Sequence, residues 1–318
     1  MSDVYWVDTA GMSVENSVSH KIARLLEQSG GLQLLEEDMR VALKINTPEV
    51  GYEYGLKPVF YRTAAQVVNR FTKHRTTICD GIKLVDYWRK SGGKTFLATA
   101  KGNGYSSDIL EGSFVINGGF SGDEGNLYPC GLTDSEIGGV EVGAAVCRSD
   151  ALFVLSHVTL HPFFGLSGAL FNGGFECLVG REKTRLLKGL NPYAFNGSFP
   201  SPTEIRAFQR RVLESHLSVR AAMEDLVFYV NYLWDVTPQP EYFPYSDTPV
   251  ASNLGFLAAT DPVALDAASF RLLKESREGE CRGTGPALFP GPANFDQVLE
   301  EAARLGLGST KPQITRLS

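Results

Sequence analysis

The chain has 318 residues and a net charge of −6, with 43% hydrophobic and 21% charged residues. Enough apolar material is present to fill a large core, so these values predict a folded globular protein. Neither sign of charge forms a block, and the electrostatic footprint of a nucleic-acid-binding protein is therefore missing. No apolar run approaches the about 20 residues of a membrane-spanning helix, and the first residues do not follow a signal-peptide pattern. We therefore expect a cytoplasmic protein without a nucleic-acid or membrane partner.

The cysteines are few and widely spaced along the chain. They are Cys79, Cys130, Cys147, Cys177 and Cys281. No pair has the C-x-x-C spacing, so we predict reduced thiols and no ferredoxin-type cluster motif.

Hydrophobic periodicity predicts alternating helices and strands in the first half of the chain. The helical spacing of apolar residues predicts helices at 14–29, 59–71 and 87–91. Short apolar runs, several of them followed by a turn with Gly, Asp or Pro, predict strands at 40–46, 76–78, 95–99, 114–117 and 140–146.

The second half continues this alternation after a strand at 151–155. We predict helices at 203–222, 263–274 and 295–305, strands at 225–233 and 253–260, and loops at 188–202 and 235–247. Alternation of this kind predicts an α/β fold with a mostly parallel sheet flanked by helices. Two lobes, 1–150 and 151–318, with the site between them are one expectation, and a single domain is the other.

Two of the five histidines, His157 and His161, follow the apolar strand at 151–155. Neutral imidazoles serve both as metal ligands and as acid–base groups near neutral pH, so this pair predicts either role. The alternative is structural, with one histidine capping a turn and the other packing under the next loop.

That next loop is rich in glycine. Gly165, Gly168 and Gly173, with Asn172, predict a loop whose amide groups and side chain contact an anionic ligand. It matches neither a P-loop nor a dinucleotide fingerprint. A purely structural role in a tight crossover is equally compatible with these glycines.

Polar residues also follow other predicted strands. Lys44 and Asn46 end the strand at 40–46, and Asp80 follows the strand at 76–78. Open α/β sheets bind ligands at the carboxyl ends of their strands, so we expect Lys44 to pair with an anion and Asp80 to act as an acid–base or metal carboxylate. A surface position for Lys44 is the alternative.

Asp261 and Asn231 extend this set into the second half. Asp261 follows the strand at 253–260 and precedes Pro262, so it is either a helix cap or a carboxylate at the ligand edge. Asn231 lies in the strand at 225–233 and is expected to orient the pocket from that side.

Several of these segments together resemble the prokaryotic domain-of-unknown-function family 362. The matching segments are 43–46, Asp80, 156–161, 165–172, 230–237, 255–266 and 305–308. The resemblance implies an α/β fold and a mostly uncharacterised function, and many members are described as iron–sulfur proteins because they carry inserted ferredoxin-like cysteines.

The chain differs from that family pattern at two points. It has no cysteine between Cys177 and Cys281, where such members carry clustered cysteines, which argues against a cluster-based electron-transfer role. Phe171 stands where members commonly have lysine, so either the substrate differs or another residue such as Lys183 or Lys188 supplies the charge.

These observations predict an enzyme that acts on a small anionic substrate. We expect His157 and His161 to act as acid–base groups or to bind a divalent metal, while Lys44, Asp80 and the glycine loop complete the site. Isomerase, lyase, hydrolase and cofactor-dependent oxidoreductase chemistry all remain open. The alternatives are a non-catalytic protein that binds a small ligand or cofactor, and an iron–sulfur redox protein.

Overall fold

The computed structural model describes residues 1–83, 91–188, 190, 200–279 and 294–317, with 277–279 as backbone only. The predicted helix at 87–91 falls almost entirely outside these ranges, as does Cys281. In the described part, the strands are β1 (Ser2–Val7), β2 (Val41–Lys44), β3 (Thr77–Gly81), β4 (Ser113–Asn117), β5 (Gly125–Pro129), β6 (Gly139–Gly143), β7 (Ala151–His157), β8 (Thr159–His161), β9 (Gly165–Ser167), β10 (Val227–Leu233), β11 (Gly255–Ala259) and β12 (Pro312–Arg316).

The helices of the same ranges lie between these strands. They are α1 (Val18–Gln28), α2 (Pro58–Val68), α3 (Gly93–Gly102), α4 (Ser107–Leu110), α5 (Ala144–Cys147), α6 (Ala169–Gly173), α7 (Gly180–Leu187), α8 (Pro202–Ala222), α9 (Pro262–Gly279) and α10 (Phe295–Arg304). None of the described helices is both long and apolar enough to cross a membrane.

One large sheet organises the molecule. Its eight strands have the order β12-β1-β11-β10-β7-β2-β3-β4. The five strands from β10 to β4 are parallel, whereas β11 runs antiparallel to both β10 and β1. The predicted α/β fold with a mostly parallel sheet is confirmed. Strands from both sides of residue 150 share this sheet, with β1 between β12 and β11, and a division of the chain near that residue stays a prediction.

The central strand β7 is buried on both faces because helices cover the sheet on each side. Leu152 and Val154 point into a core with α6, α8, α9 and α10, while Phe153 and Leu155 point into a second core with α1 and α2. Because the five strands from β10 to β4 are parallel, their C-terminal ends lie along one side of the sheet, which we call the carboxyl edge.

One predicted strand was wrong. Residues 95–99 lie in α3, because the buried residues of this segment, Phe96, Thr99 and Ala100, recur at helical rather than alternating spacing. The helix predicted at 203–222 is confirmed as α8, which begins at Pro202, and Ser201 and Glu204 form a capping box around its first turn. Strands β1 and β12, at the end of the sheet opposite β4, were not predicted from the sequence.

Candidate active site

Two predicted residues, Lys44 and Asp80, meet at the carboxyl edge. Lys44 is the last residue of β2, Asp80 lies in the neighbouring strand β3, and Lys44 Nζ is 3.3 Å from Asp80 Oδ1. Both side chains are fully buried, so the alternative of a surface lysine was wrong. Asp80 Oδ2 also accepts hydrogen bonds from the amide (3.0 Å) and the hydroxyl (2.8 Å) of Thr47. These bonds fix the carboxylate against the loop that follows β2.

Three further charged side chains join this pair. Lys83, two residues beyond β3, lies 3.5 Å from Asp80 Oδ1 and 2.6 Å from Glu176 Oε2. Lys183, on α7, donates to the same Glu176 oxygen at 2.9 Å. We call Lys44, Asp80, Lys83, Glu176 and Lys183 the lysine cluster. It holds three amines against two carboxylates, and no side chain in it is more than 5% exposed.

Local sequence explains how these groups meet. Gly81 ends β3, and a Cβ atom there would lie 2.8 Å from Lys183 Nζ, so a side chain at this position would displace the amine from its present place. Glu176 lies in a short 3-10 turn, Phe175–Cys177, within an otherwise apolar segment. A charged residue in such a segment is the signal that could have identified Glu176 from the sequence.

The charges of the cluster set the protonation of its members. Burial alone would raise the pKa of Glu176, but the ammonium groups of Lys183, Lys83 and Lys44 outweigh burial and hold that pKa well below its usual value. Burial opposes protonation of Lys83, yet the charges of Asp80, Glu176 and Glu241 raise its pKa. Burial, aided by the like charge of Lys83, lowers the pKa of Lys183. Lys183 therefore gives up a proton more readily than Lys83 does.

The two predicted histidines lie beside this edge but differ in what their nitrogens do. His161 Nδ1 accepts the amide hydrogens of Phe163 (3.2 Å) and Phe164 (3.0 Å), which leaves the proton on Nε2. Burial lowers the pKa of His161 to about 3, against the opposing charge of Glu176. His161 thus lacks a free lone pair for a metal or a proton, and its contacts match the structural alternative.

His157 keeps an available lone pair. Its Nε2 donates to the carbonyl oxygen of Trp234 at 2.9 Å, so Nδ1 is the unprotonated nitrogen. Nδ1 is buried and meets no donor from the described residues. Burial lowers the pKa of His157, with Glu241 the largest opposing influence, so the imidazole is a neutral acceptor.

Asn46 and Asn172 lie together behind the cluster. Asn46 Nδ2 donates to Asn172 Oδ1 at 2.8 Å, and Asn46 Oδ1 accepts from the amide of His157 at 3.0 Å. The pair therefore joins the end of β2, helix α6 and the end of β7.

The glycine loop does not hold an anion in the predicted way. The first amides of α6, those of Ala169 and Leu170, donate to the carboxylate of Asp266 at 2.8 and 2.9 Å. A Cβ atom at Gly168 would lie 2.2 Å from Asp266 Oδ1, and one at Gly173 would lie 2.7 Å from His216 Cε1. Gly165 has a φ of +96° and faces Phe295 in the same way. The close approaches are to the protein itself, so a structural role replaces the anion-binding one.

Asn231 and Asp261 lie away from the cluster. Asn231 Nδ2 donates to Asp266 (2.7 Å) and Ser269 (3.0 Å) on α9. Asp261 follows β11, and because β11 is antiparallel its end lies at the opposite edge of the sheet. There Asp261 accepts the amide of Ala264 at 2.9 Å as the cap of α9. Placing Asp261 at the ligand edge was therefore wrong.

The two lysines considered as replacements for the family lysine differ in location. Lys183 is in the cluster, whereas Lys188 is exposed at the C-terminal end of α7. Phe171 is buried, with its ring centroid 4.6 Å from that of His161.

Comparison with known proteins identifies the family of this chain. The model of the family described as domain of unknown function DUF362 matches residues 41–271, more than half of the chain. The chain belongs to this family. A search of curated proteins finds no match to it.

This DUF362 protein shares its fold with a solved structure. It is similar to the lactate racemase apoprotein from Thermoanaerobacterium thermosaccharolyticum, with a TM-score of 0.52 and 14% identity over 87% of this chain and 58% of that one. A Thermotoga maritima protein matches with a TM-score of 0.40 and 14% identity over 86% of this chain and 60% of that one. The DUF362 chain thus spans less than two thirds of each of these structures.

Proposed function

We propose that this DUF362 chain is an enzyme that binds a small anionic metabolite at the lysine cluster and transfers a proton to or from it. One observation carries the proposal: two buried amines, Lys83 and Lys183, share the single oxygen Glu176 Oε2. Buried ion clusters are costly to desolvate and add little to stability, and strongly perturbed pKa values concentrate at functional sites.

The cluster assigns different roles to its members. Lys83, with its raised pKa, stays protonated and pairs with the carboxylate or phosphate of the substrate. Lys183, with its lowered pKa, accepts or returns the proton. Asp80 positions Lys44 and Lys83 through its contacts at 3.3 and 3.5 Å.

The similarity to a lactate racemase supports the choice of substrate class. Lactate is a small carboxylate, and that protein has the same fold at 14% identity. Removal of a proton from the carbon beside a carboxylate is a step that isomerases and lyases share. We therefore favour these two classes over hydrolases and oxidoreductases.

Metal-assisted chemistry at His157 and His161 is the other mechanism that the sequence predicted. The described residues contain no group of three or more His, Cys, Asp or Glu that could hold a metal ion. His161 is also a poor metal ligand, because its Nδ1 atom already accepts the amide hydrogens of Phe163 and Phe164. We derive no step through a metal.

Hydrogen exchange into candidate substrates tests the proposal. The protein is incubated in D₂O with small 2-hydroxy and 2-amino acids, and NMR follows replacement of the hydrogen on C2. We expect exchange with one of these acids, and a fall of about 100-fold or more in Lys183→Met, because a positioned acid–base group contributes at least that much.

Matched variants separate chemistry from folding. Lys188→Met makes the same substitution at the exposed end of the same helix and should leave exchange unchanged. Lys183→Met combined with Glu176→Gln removes one charge of each sign, so it preserves the balance of the buried cluster while still lacking the amine. Equal exchange by wild type and a folded Lys183 variant would contradict the proposal.

Binding without exchange would favour the second function predicted from the sequence, a non-catalytic binding protein. Calorimetry with the same acids distinguishes the two functions. A binding protein would take up the acid without deuterium incorporation, and its affinity would still fall when Lys83 is changed to Met.

A further inference from the structure

Another buried carboxylate, outside the lysine cluster, differs from the two carboxylates within it. Glu241 is 2% exposed, and no donor from the described part of the chain reaches its Oε2 atom. Among the buried side-chain atoms left without a partner in those ranges, this oxygen is the only one from a carboxylate. Burying a charge without a hydrogen bond is far more costly than burying a hydroxyl in the same way.

The fold holds Glu241 at the carboxyl edge. Its carbonyl oxygen accepts the amide of Glu49, in the loop after β2, at 2.8 Å. The adjacent ring of Tyr242 lies 5.9 Å from Lys83 Nζ and 6.3 Å from the ring of His161. The segment that leads to Glu241 also contacts the His157 side, because Trp234 accepts from His157 Nε2 at 2.9 Å.

The charge of Glu241 acts on groups on both sides of it. The charge of Glu241 raises the pKa of Lys83 and opposes the fall that burial causes in the pKa of His157. The carboxylate therefore lies within electrostatic reach of both the lysine cluster and the imidazole.

Glu241 Oε2 and His157 Nδ1 are both buried acceptors that lack a donor from the described residues. An ionised carboxylate and an unprotonated imidazole nitrogen cannot bond to each other. A group that satisfies them must supply hydrogens. The lysine cluster, in contrast, supplies only donors to a ligand, through its amines.

We infer that Glu241 and His157 bind the hydroxyl or ammonium group of a substrate whose anionic group is held by the lysine cluster. This inference rests on the proposed function and narrows its substrate class to small acids that carry a hydrogen-bond donor near the carboxylate. Simple carboxylates meet the lysines but leave the two acceptors unsatisfied. The site discriminates between the two kinds of acid because a site built to bond a hydroxyl or amine rejects analogues that lack it.

Calorimetric binding to two matched sets of acids tests the inference. The three-carbon set is propionate, lactate and alanine, and the four-carbon set is succinate, malate and aspartate. Members of a set differ only by hydrogen, hydroxyl or amine at C2. In the set that fits the site, we expect the hydroxy or amino acid to bind at least about tenfold more tightly than the parent acid. The tighter of the two identifies the donor.

Two variants make the result specific. Glu241→Gln should bring the donor-bearing acid to within about threefold of its parent, while the parent acid, which makes no hydrogen bond to Glu241, should bind no more weakly than it binds to wild type. The substitution should not lower Tm, since the Oε2 atom has no hydrogen bond to lose. Glu214→Gln is the control, because Glu214 is a buried carboxylate that accepts from Ser135, Ile137 and Arg210. It should lower Tm and leave the selectivity between acids intact.

The possible outcomes distinguish failure of this inference from failure of the proposed function. Acids that bind in a Lys183-dependent way without regard to the C2 group would overturn the inference alone. Selectivity that survives in Glu241→Gln would do the same, as would a Tm below that of wild type. Failure of all six acids to bind wild type would overturn the inference and the proposed function together.

Discussion

Two buried carboxylates, Glu176 and Asp266, are held in contrasting ways. Glu176 Oε2 faces two ammonium groups at 2.6 and 2.9 Å. Asp266 faces neutral donors, the amides of Ala169 and Leu170 and the side chain of Asn231, at 2.7–2.9 Å. Lysine charges lower the pKa of Glu176, whereas burial outweighs the neutral donors and raises that of Asp266 to about 6. The carboxylate of Glu176 balances the charges of buried lysine side chains, and that of Asp266 holds backbone amides in place.

This difference implies a division of labour. Asp266 connects α9 to the start of α6, and α6 in turn carries Asn172 to Asn46. Glu176 anchors no backbone segment of this kind and holds amines. We therefore interpret the Asp266 region as scaffold and the Glu176 region as site.

The largest effect should follow from Glu176→Gln. Without this anion, Lys83 and Lys183 are buried with too little negative charge nearby, and we expect the free energy of unfolding to fall by about 3–5 kcal/mol. Urea denaturation measures it. Glu141→Gln is the matched control, because it breaks a surface ion pair with Arg181 and should cost less than about 1 kcal/mol.

Added ligand sharpens this result. A small carboxylate can replace the missing anion, so it should stabilise Glu176→Gln more than it stabilises wild type. Equal stabilisation of both proteins would mean that the anion does not bind at these lysines.

The next largest effect should come from Asp266→Ala. It leaves two amides and one side-chain donor unsatisfied, and we expect a loss of about 3 kcal/mol in the free energy of unfolding. Asp266→Asn keeps one acceptor oxygen and should cost less. If Asp266→Ala were as stable as wild type, the scaffold interpretation would fail.

A smaller effect concerns pH. Because the pKa of Asp266 is raised from 3.8 to about 6, its protonated form stabilises the fold at low pH, and this contribution disappears as pH rises through 6. His216, with its pKa lowered by burial from 6.5 to about 4, acts oppositely: it favours folding above pH 6.5, and that contribution declines as pH falls toward 4.

Variants should resolve these opposing contributions. Between pH 6 and 4, Asp266→Asn should lose stability on acidification more steeply than wild type, by up to about 1.4 kcal/mol per pH unit. Above pH 5, the free energy of unfolding of Glu176→Gln should vary with pH as it does for wild type. A carboxylate whose pKa is lowered by folding makes stability depend on pH only below its pKa in the unfolded chain. Urea denaturation at pH 6, 5 and 4 compares the slopes, and parallel curves for wild type and Asp266→Asn would contradict the assignment.

Local pattern was sufficient for part of the site. Lys44 and Asp80 end neighbouring strands, and a parallel sheet brings such ends together. Lys83, Glu176 and Glu241 lie beyond strands or in turns, so their convergence depends on packing that no local spacing encodes. Asp261 was wrongly predicted at the carboxyl edge because the apolar pattern of β11 does not indicate the direction of the strand. The fold class was predictable because alternating helices and strands leave few layer arrangements.

The burial of the lysine cluster also has a kinetic consequence. With side chains no more than 5% exposed, a ligand cannot reach Glu176 or Lys183 by diffusion along the surface. For the proposed ligand, we expect entry to require that the residues covering these side chains separate first, so that opening limits association to a rate well below the diffusion limit. At high ligand concentration the observed association rate should reach a plateau that belongs to the protein, and a bound molecule should leave slowly.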